Sequence, residues 1–286
     1  MRDEKRCVRD FYEQYGWSRD AAGRYRDTAD FVDVRPAMAA YHQRAMARLK
    51  RMLGARGGRL LDAGCGALAS AEYAGLGAGF DKRVCVDFAR AALLEARGKL
   101  GESGVFVQAD VARLPFREGT FDAVLCAHVL YHLPPDEQAG AAREIHRALA
   151  EGGRAIIVYT WPDCLLTRLA RWLNPRRIAP GIPGMRWVWR RFLKPRSAPA
   201  PPPAPDGGPP LFFAPQDYRW YRREIAHTLP VRLRCWEAVS LPFAQAFVTS
   251  GRLGRWTLRL FSLLERACPR LMGRIGAYPA FIVTKR

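Results

Sequence analysis

The stretch 58–66 constrains the fold of this 286-residue chain more than any other segment. An apolar run there ends in a carboxylate, Asp62, and is followed at once by Gly64 and Gly66. This order predicts a buried strand that opens into a tight turn, where glycines let the backbone approach a ligand closely. Because a carboxylate at the turn repels a pyrophosphate and attracts a cation, we expect a ligand that carries positive charge.

Two further strands follow at the spacing of βα units, and each also ends in an acid. The run 83–87 ends in Asp87, and the run 104–110 ends in Asp110. Any one of these acids alone is typical of a turn or a helix cap. Since the carboxyl ends of parallel strands meet at one rim of a sheet, the ordered set predicts one ligand site. S-adenosylmethionine, which has an ammonium and a sulfonium, fits the expected charge.

Four segments, 60–66, 84–88, 108–116 and 121–134, resemble the successive motifs of class I S-adenosylmethionine-dependent methyltransferases, in their small-molecule, type 11-like branch. Each motif is short, and the specificity comes from the set. One position departs from the family pattern. Leu68 stands where the family usually has a glycine, so we expect a reshaped turn or a reshaped helix after it.

The resemblance implies where each part of the cofactor binds. The methionine part would lie within the turn formed by Asp62, Gly64, Cys65 and Gly66. The adenosine part would bind through Asp87, Phe88, Asp110 and Val111. His128 would add a further contact with the cofactor.

The predicted fold is of the α/β class, a Rossmann-like doubly wound seven-stranded sheet with an antiparallel last hairpin and a helical insertion. Apolar periodicity predicts helices over 3–15, 36–53, 88–100, 136–150 and 252–267. We expect four regions in chain order. They are an N-terminal helical cap (1–57), the S-adenosylmethionine-binding core (58–161), a basic Trp-rich insertion with a Pro-rich linker (162–215), and a segment that completes the sheet on the substrate side (216–286).

The net charge of +19 is concentrated in the second half of the chain. Residues 1–160 hold 24 basic and 21 acidic side chains, whereas residues 161–286 hold 22 and 6. Within the insertion, segments 164–173 and 185–193 alternate Trp and Leu with Arg at helical spacing, which is typical of helices at a membrane interface. A lid that packs its apolar face on the core is an equal alternative, and an RNA-binding surface is a third. The run 195–215 predicts extended, poorly packed backbone.

The seven cysteines lack paired spacing, which favours reduced thiols. No leader-like segment and no apolar run long enough to cross a bilayer is evident. We therefore expect a cytoplasmic protein, with peripheral association at the inner face of the membrane as an open alternative.

Two histidines after the predicted fourth strand, His128 and His132, are the catalytic candidates. Methyl transfer from a sulfonium needs mainly alignment and exclusion of water, and a general base is required only for a hydroxyl or a protonated amine acceptor. His132 is equally consistent with a structural histidine bonded to the backbone. The His-x-x-x-His spacing would suit a metal, but no third ligand is near in sequence, so no metal site is predicted.

These observations predict an enzyme that methylates a small-molecule or lipid- or glycan-linked acceptor of anionic or hydrophobic character, with an anionic membrane as a further partner. Two alternatives remain open at this point. One is an RNA methyltransferase, and the other is a non-catalytic S-adenosylmethionine-binding protein that regulates or docks at membranes.

Overall fold

A computed structural model describes residues 2–33, 35–54, 57–173, 209–248 and 251–286. Seven strands form a single sheet in the order β3-β2-β1-β4-β5-β7-β6. The strands are β1 (Arg59–Ala63), β2 (Lys82–Asp87), β3 (Gly104–Gln108), β4 (Phe121–Ala127), β5 (Leu149–Val158), β6 (Val231–Glu237) and β7 (Tyr278–Thr284).

Strand β1 lies between β2 and β4 and pairs in parallel with both. The parallel pairing continues from β2 to β3 and from β4 to β5, whereas β7 is antiparallel to both β5 and β6. The predicted fold class and the antiparallel last hairpin are therefore confirmed. The direction of strand order reverses beside β1, and a crevice for ligands forms at such a point, at the carboxyl ends of the strands.

Helices cover both faces of the sheet. In the described residues they are α1 (Asp3–Phe11), α2 (Arg26–Phe31), α3 (Pro36–Leu53), α4 (Ala71–Ala74), α5 (Arg90–Leu100), α6 (Pro135–Ala148), α7 (Leu165–Leu173), α8 (Tyr218–Trp220), α9 (Leu241–Phe247), α10 (Arg252–Ala267) and α11 (Pro269–Ile275). Helix α1 continues into a wider turn over Tyr12–Gly16. Helix α3 begins at Pro36, which has no N–H to leave unpaired, and ends at Gly54 with a left-handed φ of 64°.

The central strands are buried on both faces, as a parallel sheet between two helical layers requires. One layer of the core contains Leu61, Val124 and Ile157, and the other contains Leu60, Leu125 and Ile156. The predicted helices 3–15, 36–53 and 252–267 agree with the structure. The helix predicted over 136–150 ends at Ala148 instead, because β5 begins at Leu149, directly after α6.

The insertion is described only in part. Helix α7 confirms the predicted helix over 164–173, whereas the segment 185–193 and most of the Pro-rich run lie outside the described residues. The end of that run does not have the poorly packed backbone that we expected. Leu211 is buried, the Ala214 N–H donates to the Tyr131 carbonyl over 2.8 Å, and the Gln138 side chain donates to the Ala214 carbonyl.

Leu68 adopts a φ of 51°, in the left-handed region that favours glycine. Its side chain is almost fully buried and packs in a small cluster with Cys65, Cys85 and Leu93. Leucine in place of the usual glycine thus strains the backbone at this position, and burial of the leucine side chain offsets the strain.

Leu68→Gly tests this balance. The change should relieve about 1 kcal/mol of left-handed strain but remove about 2 to 5 kcal/mol of leucine burial, so we expect a net destabilisation of about 2 kcal/mol. Urea unfolding followed by circular dichroism measures the difference. A variant more stable than the wild type would contradict the account.

Candidate active site

A cavity of about 340 Å³ opens at the carboxyl ends of β1, β2 and β4. The turn after β1 forms its floor, the segment from α1 to α2 covers one side, and β6 closes the far end. Its lining includes most of the residues that the sequence singled out, namely Gly64, Cys65, Gly66, Asp87, Phe88, Val111, His128 and His132. Asp62 and Asp110 are not among the lining residues.

The turn after β1 depends on its two glycines. Gly64 has a φ of 78° and Gly66 a φ of 55°, so both occupy the left-handed region. A Cβ at Gly64 would clash with the Val129 side chain, and a Cβ at Gly66 would lie 2.6 Å from the Trp17 ring. A residue with a Cβ therefore cannot replace Gly64 or Gly66 without displacing Val129 or Trp17.

Asp87 ends β2 and organises the same turn. Its carboxylate accepts the Gly66 N–H and the Ala89 N–H, each over 2.9 Å. Burial raises the pKa of Asp87 to about 6, although these backbone bonds counteract the effect. The carboxylate is therefore ionised at pH 7.5 and is available as a hydrogen-bond acceptor at the cavity wall.

Asp62 has a different partner from the one that its charge suggested. Its carboxylate is fully buried and pairs with the Arg83 guanidinium, Nη2 to Oδ2 over 2.5 Å, while Tyr73 donates to it over 3.0 Å. Because Arg83 already neutralises this carboxylate, the charge of Asp62 does not by itself select a cationic ligand, and the contact of Asp62 with the methionine part stays a prediction. Asp62 supports β1 from behind the cavity wall.

Asp110 is also engaged within the chain. Lys5 of α1 reaches it over 2.6 Å and contacts Glu137 as well. Val111, the next residue, does line the cavity. The binding of adenine by Asp110 stays a prediction, and the Lys5 contact shows that the N-terminal helix is fastened to this side of the site.

His128 directly follows β4 with a φ of 64°, a strained conformation for a residue with a Cβ. Its Nδ1 lies 3.0 Å from the Tyr131 hydroxyl oxygen, and its ring packs edge-on against Trp236 with centroids 4.8 Å apart. Burial, together with smaller contributions from the neighbouring His42 and His132, lowers the pKa of His128 to about 3. The ring is thus neutral at pH 7 and a weak base.

His132 lies in the cavity wall with its Nδ1 2.8 Å from the Phe212 carbonyl. Since a carbonyl only accepts, the proton resides on Nδ1, and Nε2 is the acceptor. Burial lowers the pKa of His132 to about 4, although the carbonyl opposes this. The arrangement agrees with the alternative of a structural histidine, and its catalytic role stays a prediction. Within the described residues no group of three metal-ligating side chains is present.

Several lining residues were not found from the sequence. Tyr12 and Asp27, from the N-terminal cap, share a hydrogen bond, and burial raises the pKa of Asp27 to about 7. The indole N–H groups of Trp17 and Trp236 are both buried without a hydrogen-bond partner in the described part of the chain. Since buried donors are rarely left unpaired, these two point to a ligand in the cavity.

At the far end of the cavity, His42 pairs with Glu237 over 2.8 Å beside the Trp236 ring. Burial opposes protonation of His42, but the hydrogen bond and charge of Glu237 outweigh it and raise the pKa. The remaining lining there is apolar and includes Met46 and Leu49. This end can accommodate an apolar group beside one imidazole that is readily protonated.

Comparison with known proteins agrees with this geometry. Residues 61–157 match the family model described as a methyltransferase domain. No curated protein sequence matches the chain.

Similar folds occur among solved structures. Geranyl diphosphate C-methyltransferase from Streptomyces coelicolor A3(2), in complex with Mg²⁺, geranyl diphosphate and S-adenosyl-L-homocysteine, has a TM-score of 0.56 at 15% identity, covering 100% of this chain and 99% of that one. The DhpI–SAH complex has a TM-score of 0.54 at 16% identity, covering 98% and 97%. The [4+2]-cyclase SpnF has a TM-score of 0.51 at 14% identity, covering 95% and 86%.

The sheet order and the glycine turn, together with the methyltransferase domain matched over residues 61–157, support a class I S-adenosylmethionine-dependent methyltransferase domain of the type 11-like kind. The chain is thus an enzyme, and S-adenosylmethionine is the cofactor of this domain.

Proposed function

We propose that this methyltransferase acts on an acceptor with an apolar body, a small molecule or a lipid-linked one, held at the far end of the cavity. The observation that carries the proposal is the lining of that end by Met46, Leu49, Val158 and Trp236. Such a surface favours an apolar acceptor because its burial removes apolar area from water. A small hydrophilic acceptor would leave most of this apolar wall exposed to water.

The residues at the opposite end fit the cofactor. The glycine floor admits close approach of a ligand, Asp87 offers an ionised acceptor for the ribose hydroxyls, and the unpaired Trp17 N–H offers a donor for the methionine carboxylate. When bound, S-adenosylmethionine supplies a methyl group on a positively charged sulfur. The chain itself orients the acceptor and excludes water, which is most of what this chemistry asks of a protein.

For an acceptor that must lose a proton, we propose Asp27 as the general base in preference to His128 or His132. Asp27 lines the cavity and is bonded to Tyr12, whose ring lies 6.0 Å from that of His132. A base with a pKa near the working pH is the most effective, and the pKa of about 7 for Asp27 meets this condition, whereas the values of about 3 and 4 for the histidines do not.

The pH dependence of turnover separates these candidates. With Asp27 as the base, kcat/KM should rise about tenfold per pH unit below pH 7 and level off above it, because the carboxylate must be ionised. Asp27→Asn should lower kcat by about 10² to 10⁴ and remove this rise. His128→Ala and His132→Ala should retain the inflection near pH 7. A wild-type profile that is flat from pH 6 to 8, with full activity in Asp27→Asn, would show that no base at this position is used.

The acceptor class is tested with S-adenosylmethionine labelled with tritium in its methyl group, incubated with a cellular lipid extract, with water-soluble metabolites or with RNA. We expect the label to enter the organic phase. Label found only in RNA would support the alternative of an RNA methyltransferase. If S-adenosylhomocysteine binds but no fraction becomes labelled, the chain would instead be the non-catalytic binding protein.

A further inference from the structure

Helix α10 (Arg252–Ala267) directs its apolar residues outward. Its large exposed side chains recur at intervals of three and four and form what we call the outer stripe, consisting of Leu253, Trp256, Leu260, Leu263 and Leu264. Leu253 is 72% exposed, Trp256 65% and Leu263 60%. A surface helix normally places such a stripe against the core, whereas here the larger apolar stripe faces outward.

The inner face of the same helix explains this. It buries Leu258 and packs Phe261 against Phe243, and its other buried residues are small or polar, namely Gly254, Ser262 and Glu265. Glu265 is almost fully buried and pairs with Arg48 of α3 over 2.6 Å, and it also bonds to the Tyr41 hydroxyl. Rotation of the helix to bury the outer stripe would break this buried pair. The outward position of the stripe is therefore fixed by contacts with α3.

The exposed charges on α10 are all of one sign. Four exposed arginines follow one edge of it, the basic row, which consists of Arg252, Arg255, Arg259 and Arg266. The only acid in α10 is the buried Glu265. None of the four arginines has an ion pair within the part of the chain that the structure describes. Arg44 and Arg51 of α3 add to the row, since they line clefts beside it together with Arg259.

We propose that the outer stripe and the basic row of α10 dock this methyltransferase on an anionic lipid bilayer. An anionic bilayer receives the apolar side chains at its interface and attracts the arginines at the same time. A second copy of the chain would bring one basic row against another, and like charges repel. The segment 174–208, with seven basic residues and one acidic residue, is repelled by the row in the same way.

This surface differs from the one that the sequence suggested. The insertion helix α7 exposes Leu165, Leu169 and Trp172 on one face. Its other face, which carries Leu166 and Thr167, is buried. No helix in the described ranges is both long enough and apolar enough to cross a membrane. The inference rests on the proposed function in one respect: docking would serve to deliver a lipid-linked acceptor. Docking itself can be measured without turnover.

Co-sedimentation of the full chain with vesicles tests the proposal. The wild type should bind vesicles of phosphatidylcholine mixed with phosphatidylglycerol at low salt, bind pure phosphatidylcholine at least about tenfold more weakly, and be released from the mixture as salt rises. Trp256→Ser/Leu260→Ser should lower the affinity about tenfold or more at every salt concentration. Arg255→Gln/Arg259→Gln should weaken binding at low salt and flatten the salt dependence.

Matched controls are provided by other exposed apolar residues. Leu94→Ser on α5, where Leu94 is 56% exposed, should not change vesicle binding. If Leu165→Ser/Trp172→Ser abolishes binding while the α10 variant binds normally, the docking surface is on the insertion and the proposal is wrong. Absence of wild-type binding to anionic vesicles at low salt would also overturn it. So would light scattering that shows a dimer which Trp256→Ser converts to a monomer.

The outcomes for docking and for methyl transfer are independent. The α10 variants should bind S-adenosylhomocysteine with wild-type affinity in calorimetry, because α10 does not line the cavity. Vesicle binding without label transfer to lipids would support the docking surface and refute the proposed acceptor. Label transfer to a detergent-dispersed acceptor without vesicle binding would do the reverse.

Discussion

Arg83→Met is expected to lower the free energy of unfolding by about 3 to 5 kcal/mol, because it leaves the carboxylate of Asp62 buried without its counter-charge. Arg83 is 3% exposed and Asp62 is fully buried. The guanidinium also donates to the Tyr73 and Ala74 carbonyls, over 3.1 and 2.8 Å, and these bonds would be lost with it. Urea unfolding at pH 7.5 measures the effect.

Two controls separate charge from packing. Arg83→Met/Asp62→Asn removes both charges and should recover a large part of the lost stability, since the unpaired buried charge causes most of the cost. Arg223→Met removes an exposed arginine from its pair with Glu224 and should have no measurable effect. If Arg83→Met is no less stable than Arg223→Met, the buried pair does not support β1 in the way described.

Asp87→Ala is expected to weaken binding of S-adenosylhomocysteine by about 3 kcal/mol, or more than a hundredfold. Two effects act together: the acceptor for the ribose hydroxyls is lost, and the Gly66 N–H loses the bond that holds the turn. Asp87→Asn, which retains one acceptor oxygen, should have a smaller effect. Isothermal titration calorimetry compares the affinities.

Asp81 provides a control at the other end of the same strand. It lies just before β2, and its carboxylate accepts the Gly58 N–H over 2.7 Å. Asp81→Ala should therefore leave cofactor affinity unchanged. Equal affinities for wild type and Asp87→Ala would refute the assignment of the ribose site.

The first three strands could be predicted because they are short apolar runs with acids at or near their ends. The end of β2 at Asp87 follows directly from such a run, whereas the partner of Asp62 does not. Asp62 pairs in register with Cys85, so Arg83, two residues earlier on β2, lies diagonally opposite on the same face. In the sequence, Arg83 is a single basic residue at the start of an apolar run. Its partner can be identified only when the register of β1 and β2 is known.

The N-terminal part of the site was beyond sequence reasoning for a different reason. Asp27 and Trp17 belong to segments with no clear periodicity, and they line the cavity in a segment that is fastened by long-range contacts, among them Lys5 with Asp110 and Tyr25 with Glu95. In α10 the periodicity predicted the helix correctly but could not predict its orientation. That orientation depends on the buried contact between Glu265 and Arg48, which are 217 residues apart.

The insertion is fastened at both of its ends, and this has an evolutionary consequence. Near its start, Thr167 of α7 bonds to Ser240 over 2.7 Å. Near its end, the Phe212 carbonyl bonds to His132 and the Ala214 carbonyl accepts from Gln138, beside the cavity. A change in length between these two anchor points does not require either contact to change. Insertions and deletions there are therefore compatible with inheritance of the anchored residues beside the cavity.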